Sequence, residues 1–214
     1  MNMPKILSTA LLLFCLAALG PGLTVSRAAG DKTPTVTAQD RIMGKADAPV
    51  TLIEYASLTC PHCAAFEKEN LPQIRKEWID TGKVKLIYRD FPLDRNALLA
   101  STIARCAPPD RYFAFIESFF DDQAHWVLAQ DPIDALKRIV RIGGMDSAAV
   151  DKCLADTKLQ EAIVAGEAQA KDDYGVESTP TFFIIGANGV STRLVGDLPY
   201  ADFAKALNEA MPKS

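Results

Sequence analysis

Cys60-Pro61-His62-Cys63 is the segment of this 214-residue chain whose residue types and spacing carry chemistry. Two thiols separated by two residues fall within one helical turn, close enough to bond to each other. The segment follows an apolar, strand-like run, Val50–Ala56, and opens a helix. A thiol at a helix start sees backbone N–H groups without helical partners and the positive end of the helix dipole, and both favour thiolate over thiol. Pro61 suits the first turn, where its missing N–H has no partner to lose. The pair therefore reads as a redox dithiol that cycles between disulfide and dithiol. A zinc site is the competing chemistry, but four-coordinate zinc needs a second pair of ligands. The chain offers two histidines, His62 and His125, and the isolated cysteines Cys15, Cys106 and Cys153. The sequence thus predicts no metal and no other cofactor. A purely structural Cys60–Cys63 bridge closes too small a loop to stabilise much.

The N-terminus bears on the compartment. Lys5 supplies a positive start, Ile6–Leu19 is a short apolar run, Gly20-Pro21-Gly22 breaks it, and Ser26-Arg27-Ala28-Ala29 offers small residues for cleavage. This pattern is that of a secretory signal peptide over residues 1–29, and the run is shorter than the ~20 residues of a spanning helix. Cys15 leaves with the leader. Removing Lys5 and Arg27 takes the formal charge from −4 to −6. An acidic mature protein argues against nucleic acid as a partner. Four cysteines remain, in a compartment where disulfides persist. Two belong to the dithiol, which leaves Cys106 and Cys153 as a structural pair or as two buried free thiols. A bridge between them is worth ~4 kcal/mol on chain entropy.

Roughly 185 mature residues suffice for one filled domain, or one domain with an insert. Residues 30–48 are a polar lead-in. Val50–Ala56 reads as a buried central strand, residues 61–80 as a helix kinked at Pro72, and Val84–Tyr88 as a second strand, making a βαβ unit with parallel strands. The middle is helical: Asn96–Cys106, a helix capped by Asp110, one opened by Asp131-Pro132 and stopped at Gly143-Gly144, one from Asp146, and a long one from Thr157 to near Gly175. Strands return at Thr181–Ile185 and Ser191–Val195, flanking Asn188-Gly189, a hairpin turn signal. A helix over about Tyr200–Met211 closes the chain. The expected architecture is an α/β domain from residues 49–95 and 176–214, interrupted by an all-helical insert over 96–175.

Glu54-Tyr55-Ala56-Ser57-Leu58-Thr59-Cys60-Pro61-His62-Cys63 resembles the active-site strand and helix of DsbA-like thiol:disulfide oxidoreductases. Asp47-Ala48-Pro49-Val50 is similar to the lead-in of many members, and Ser178-Thr179-Pro180-Thr181-Phe182 is similar to the cis-proline loop of the thioredoxin superfamily. The resemblance covers nearly the whole mature chain and implies a thioredoxin fold with an inserted helical domain. It implies that Cys60 is the exposed nucleophile and Cys63 the buried resolving thiol. His62, with Pro61, lies between them and tunes the potential. Pro180 packs against the disulfide in cis, and Thr179 offers its backbone to an extended substrate. Glu54, a carboxylate in a buried strand, is costly unless paired or protonated, and the resemblance gives it the role of proton relay to Cys63. Glu67 is expected on a solvated helix face.

A thiolate at Cys60 stabilises the reduced form, by ~1.4 kcal/mol or about 30 mV for each pKa unit below ambient pH. The expected activity is therefore that of a periplasmic dithiol oxidase, which passes its disulfide to reduced, unfolded secreted proteins. The resemblance implies a membrane reoxidase similar to DsbB as its partner. A reductase or isomerase of the same fold, and a chaperone-like binder of unfolded chains, are the alternatives.

Overall fold

The computed structural model describes Met1 and residues 32–213, so the expected leader, Met1 apart, and Cys15 lie outside the described residues. Strand β2 (Val50–Ala56) is buried at all seven positions, as its apolar run requires. It lies at the centre of a five-stranded sheet with β1 (Ile42–Met43), β3 (Val84–Asp90), β4 (Thr181–Ile185) and β5 (Ser191–Val195), in the order β1-β3-β2-β4-β5. β2 and β3 are parallel, with Val50 opposite Val84, and are joined through the helix that carries the dithiol. β4 runs antiparallel to β2, placing Phe182 opposite Glu54. The β4–β5 hairpin turns through Asn188-Gly189, where Gly189 has φ +76°.

Alternation along β2 sends Leu52 and Glu54 to one face and Ile53 and Tyr55 to the other. The first face packs helix α1 (Pro61–Glu69) and, near the end of the chain, a helix over Tyr200–Ala210. Their contact is an aromatic triad: Phe66 lies 4.5 Å from Phe182 and 5.2 Å from Phe203, centroid to centroid. Leu52, Leu86 and Ile184 complete that core. The second face buries Ile53, Ile87 and Phe183 against Ala170 and Val176.

Between β3 and β4 the described chain is helical: α3 (Arg95–Cys106), α4 (Tyr112–Asp121), α5 (Gln123–Val127), α6 (Pro132–Ile142), α7 (Ser147–Leu154) and α8 (Thr157–Tyr174). Asp94, Asp131, Asp146 and Asp156 each accept a backbone N–H at a helix start. α8 ends at Gly175, whose φ of +62° suits glycine. The core of these helices, with Tyr112, Phe119, Trp126 and Leu136, is continuous with Leu58, Cys60 and Cys63. The fold is a thioredoxin fold with an inserted helical domain.

Three local expectations are corrected. The helix after the dithiol breaks at Asn70 rather than kinking at Pro72. A new helix, α2 (Leu71–Ile74), starts there with Pro72 in its first turn, where the missing N–H costs nothing, and continues as a π-helical stretch, Arg75–Ile79. Asp110 does not cap α4; Arg111 occupies the N-cap and no side chain caps it. α5, at five residues, is a helix too short to carry a periodic signal in the sequence. The lead-in contributes β1 and is tied to β3 through Arg89, which donates to Asp40 at 2.8 and 3.0 Å and to the Thr35 carbonyl at 2.6 Å.

Candidate active site

β2 delivers the chain to a loop, Ser57–Thr59, that ends at Cys60, the N-cap of α1. No side chain caps the helix, so its first N–H groups are free to face the Cys60 sulfur. Cys60 and Cys63 are both thiols and both buried: 5% of Cys60 and none of Cys63 is accessible. Cys60 is thus less exposed than the resemblance implied. It packs with the core of the helical insert and meets the loop before β4, whose Thr179 carbonyl accepts from Cys60 Sγ at 3.4 Å.

The electrostatics separate the two thiols. The Cys60 pKa is lowered to about 5, first by the hydrogen bond from the Cys63 thiol, against the opposing effect of burial; the Thr179 side chain and the backbone N–H groups of Cys63 and His62 add to the lowering. Cys63 is pushed far up, by burial first, then by its hydrogen bond to Cys60 and by the charges of Glu54 and Cys60. Deprotonation therefore belongs to Cys60. The His62 side chain is exposed, and its backbone N–H supports the thiolate.

Glu54 lies beneath the dithiol in β2. It is fully buried, and neither carboxylate oxygen has a hydrogen-bond partner. Its pKa is raised well above the ordinary carboxylate range by burial first, then by Glu67 and Cys60. Burial of this kind favours the protonated, uncharged form. Glu67 corrects the expectation of a solvated face. It is half-buried and lines a cleft of about 320 Å³ with Glu117 and Asp121 of α4. Burial, then those two acids, push it up to about 8.

Thr179-Pro180 is a cis peptide, and both residues are buried. The Pro180 carbonyl accepts from Gly196 N at 2.8 Å, and Thr181 Oγ1 donates to the Ser178 carbonyl at 2.7 Å, fixing the loop on both sides. Away from the site, Cys106 and Cys153 are bonded to each other, with Cα atoms 6.1 Å apart, joining the C-terminal ends of α3 and α7.

Two groups of residues around the dithiol escaped the sequence reading. Ser57, Thr59 and Asp94 form a hydrogen-bonded set that ties the loop to the start of α3: Thr59 Oγ1 donates to Asp94 Oδ2 at 2.6 Å, and Leu93 N to Ser57 Oγ at 3.3 Å. Gln123 reaches the same loop from α5. Asp94 three residues before Ala97 was a legible cap signal; its second bond, 35 residues back, was not.

A thiol of lowered pKa at a helix start, a buried second thiol one turn on and a cis-proline loop across from them, on this sheet, define a thioredoxin-fold protein with a dithiol at its site. Comparison with known proteins agrees. The family model described as Thioredoxin matches residues 36–208, and the chain belongs to that family. The crystal structure of Wolbachia pipientis alpha-DsbA1 superposes with a TM-score of 0.76 at 30% identity, covering 82% of this chain and 92% of that one. BdbD from Bacillus subtilis shares the fold, with a TM-score of 0.73 at 21% identity over 86% of this chain and 98% of its own. A protein of Rickettsia bellii that bears the name of a protein-disulfide oxidoreductase is 30% identical over 154 residues, which are 72% of this chain and 58% of that protein. The chain thus spans less than two thirds of the length of that relative. No helix among the described residues is long and apolar enough to cross a membrane.

Proposed function

We propose that this protein is a periplasmic dithiol oxidase, exported by a cleaved leader, that donates a Cys60–Cys63 disulfide to reduced, newly exported proteins. The observation that carries this reading is the placement of the dithiol: Cys60 at the N-cap of α1 with Cys63 buried in its first turn, facing the cis Thr179-Pro180 loop, an arrangement that lowers the Cys60 pKa and raises that of Cys63. A substrate thiolate attacks Cys60 Sγ. The Cys60–Cys63 bond breaks, and its electron pair leaves with Cys63. That sulfur holds a proton strongly, and Glu54 beneath it is the proton donor. The second substrate thiol, as thiolate, then attacks the substrate sulfur of the mixed disulfide. Cys60 leaves as a stabilised thiolate, which makes it the better leaving group. The substrate is oxidised by two electrons and the enzyme reduced by two. The backbone of Thr179, 3.4 Å from Cys60 Sγ, is placed to hydrogen-bond an extended substrate segment. Renewal of the disulfide calls for a membrane, quinone-linked reoxidase similar to DsbB. The Cys106–Cys153 bridge has a stabilising role and takes no part in turnover.

Trapping tests the scheme. Cys63→Ser, activated at Cys60 as a mixed disulfide with a small aromatic thiol, is expected to exchange onto a reduced peptide that carries a single thiol and stop there, releasing the aromatic thiolate and leaving a covalent adduct at Cys60 that neither Cys63 nor a second substrate thiol can resolve. The adduct is read by non-reducing mass spectrometry. Absence of an adduct from the folded variant, or an adduct at Cys106 or Cys153, contradicts the assignment of Cys60 as the attacked sulfur.

A further inference from the structure

We propose that Gln123 is a positioning residue for the dithiol: its side-chain amide, carried on the helical insert, holds the Cys60 peptide in the conformation that aims the first N–H groups of α1 at the Cys60 sulfur. This inference rests on the oxidase reading and adds a residue to it.

The geometry is that of a clamp. Gln123 Nε2 donates to the Leu58 carbonyl at 2.8 Å and to the Cys60 carbonyl at 3.0 Å. Both partners are acceptors only, so the amide must present its NH2 group to them and both of its hydrogens are used. The two carbonyls flank Thr59, whose hydroxyl is held from the other side by Asp94 at 2.6 Å. The loop is therefore gripped by the start of α3 on one side and the start of α5 on the other. Gln123 is the side chain that engages the peptide of Cys60 itself.

The clamp has a rigid base. Gln123 is the first residue of α5, and Trp126 on the same short helix is fully buried. The Trp126 indole donates to the Phe119 carbonyl at 2.7 Å, and its backbone N–H to the Asp122 carbonyl at 3.1 Å, which locks α5 onto the end of α4. The position of the amide is thus set by the core of the insert.

Cys60 adopts φ −79° and ψ 121°, outside the helical region, while the next residues are helical. That sharp change of direction brings the N–H groups of His62 and Cys63 back toward Sγ. Its carbonyl also accepts the first bond of α1, from Ala64 N at 3.2 Å. Without the amide, that longer bond alone fixes the carbonyl, and the peptide gains freedom to turn the N–H groups off the sulfur. The ionisable groups that act on Cys60 are Cys63 on its own helix and Glu54 from β2, and Gln123 hydrogen-bonds neither. An effect of Gln123 on the thiolate must therefore pass through the backbone.

The test is the thiolate absorbance near 240 nm of the full mature protein, titrated in the reduced state, with melting temperature measured alongside. Gln123→Met keeps length and volume and removes both donors. It is expected to raise the Cys60 midpoint by about one pH unit, a tenfold loss of thiolate relative to thiol, which converts to about 30 mV in the couple. Gln160→Met removes a comparable amide bond elsewhere in the insert, from Gln160 Nε2 to the Leu154 carbonyl at 2.8 Å, and is expected to lower the melting temperature with an unmoved midpoint. Gln123→Ala repeats the measurement without asking the site to hold a thioether. A midpoint unmoved in both Gln123 variants overturns the inference, and melting lowered alongside, as in Gln160→Met, makes the residue merely structural. An ordinary thiol midpoint in the unsubstituted protein overturns the oxidase reading, and the inference with it, and is told apart because it needs no variant.

Discussion

Cys60 is expected to alkylate with iodoacetamide along a pH profile whose midpoint lies near 5, while Cys63 stays protected in the folded protein. At pH 7, a thiol with a pKa two units below ambient is about 99% thiolate, whereas one with a free-thiol value near 8.5 is a few per cent. The stabilisation is present above the ordinary thiol pKa and is lost as pH falls through the folded value near 5. At pH 7 the two units below ambient amount to ~2.7 kcal/mol in favour of the reduced form, or about 60 mV for a two-electron couple. The physical source is local: the Cys63 thiol, the Thr179 side chain and two backbone N–H groups, against the cost of burial. Quenched alkylation with mass spectrometry reads each cysteine separately. A rate that rises only near pH 8.5 removes the driving force for oxidation.

Replacing Glu54 with leucine is expected to make the protein more stable and slower. The carboxyl is fully buried with no hydrogen-bond partner, a state that costs on the order of 1–3 kcal/mol. Leucine fills similar space without that cost. The sign of the pH dependence follows from the raised pKa: the folded protein keeps the Glu54 proton to higher pH than the unfolded chain, which releases it near pH 4.3, about the ordinary value. The unfolded chain binds fewer protons, so unfolding becomes easier as pH rises above that value. Urea unfolding at pH 4 and pH 8 is expected to show the leucine variant ahead of the parent by more at pH 8. Oxidation of a dithiol peptide, in contrast, is expected to fall by a factor on the order of 100, because the group that protonates the departing Cys63 is gone. An unchanged oxidation rate withdraws the proton-donor role from Glu54. A variant less stable at pH 8 points to a bound partner for the carboxyl, against its unpartnered burial.

The contrast between local and distant signals explains what was legible beforehand. Val50–Ala56 announced a buried strand because an unbroken apolar run has few other homes, and Glu54 stood out within it because a charge there conflicts with that burial. The Cys60-Pro61-His62-Cys63 spacing and the proline at the start of β4 are likewise local. The Cys106–Cys153 pairing rested on arithmetic in an oxidising compartment rather than on pattern. What escaped depends on contacts between segments far apart in sequence. Gln123 reaches back 65 residues to Leu58. Thr59 reaches forward 35 residues to Asp94. Glu67 became half-buried only because α4 packs opposite it with Glu117 and Asp121. Buried Cys60 meets a carbonyl 119 residues away. Local pattern also misplaced the break after α1: Pro72 is a helix breaker by type, but in the first turn of a new helix its missing N–H costs nothing, so the chain breaks before it, at Asn70.

The equilibrium potential of the Cys60–Cys63 couple, measured against glutathione on the mature protein at pH 7, bears most directly on the claim that the protein donates disulfides. With Cys60 held as thiolate, the reduced form is favoured and the couple is expected to lie above about −180 mV, more oxidising than protein disulfide isomerase. A value near about −270 mV, that of a thioredoxin-type reductant, contradicts the account.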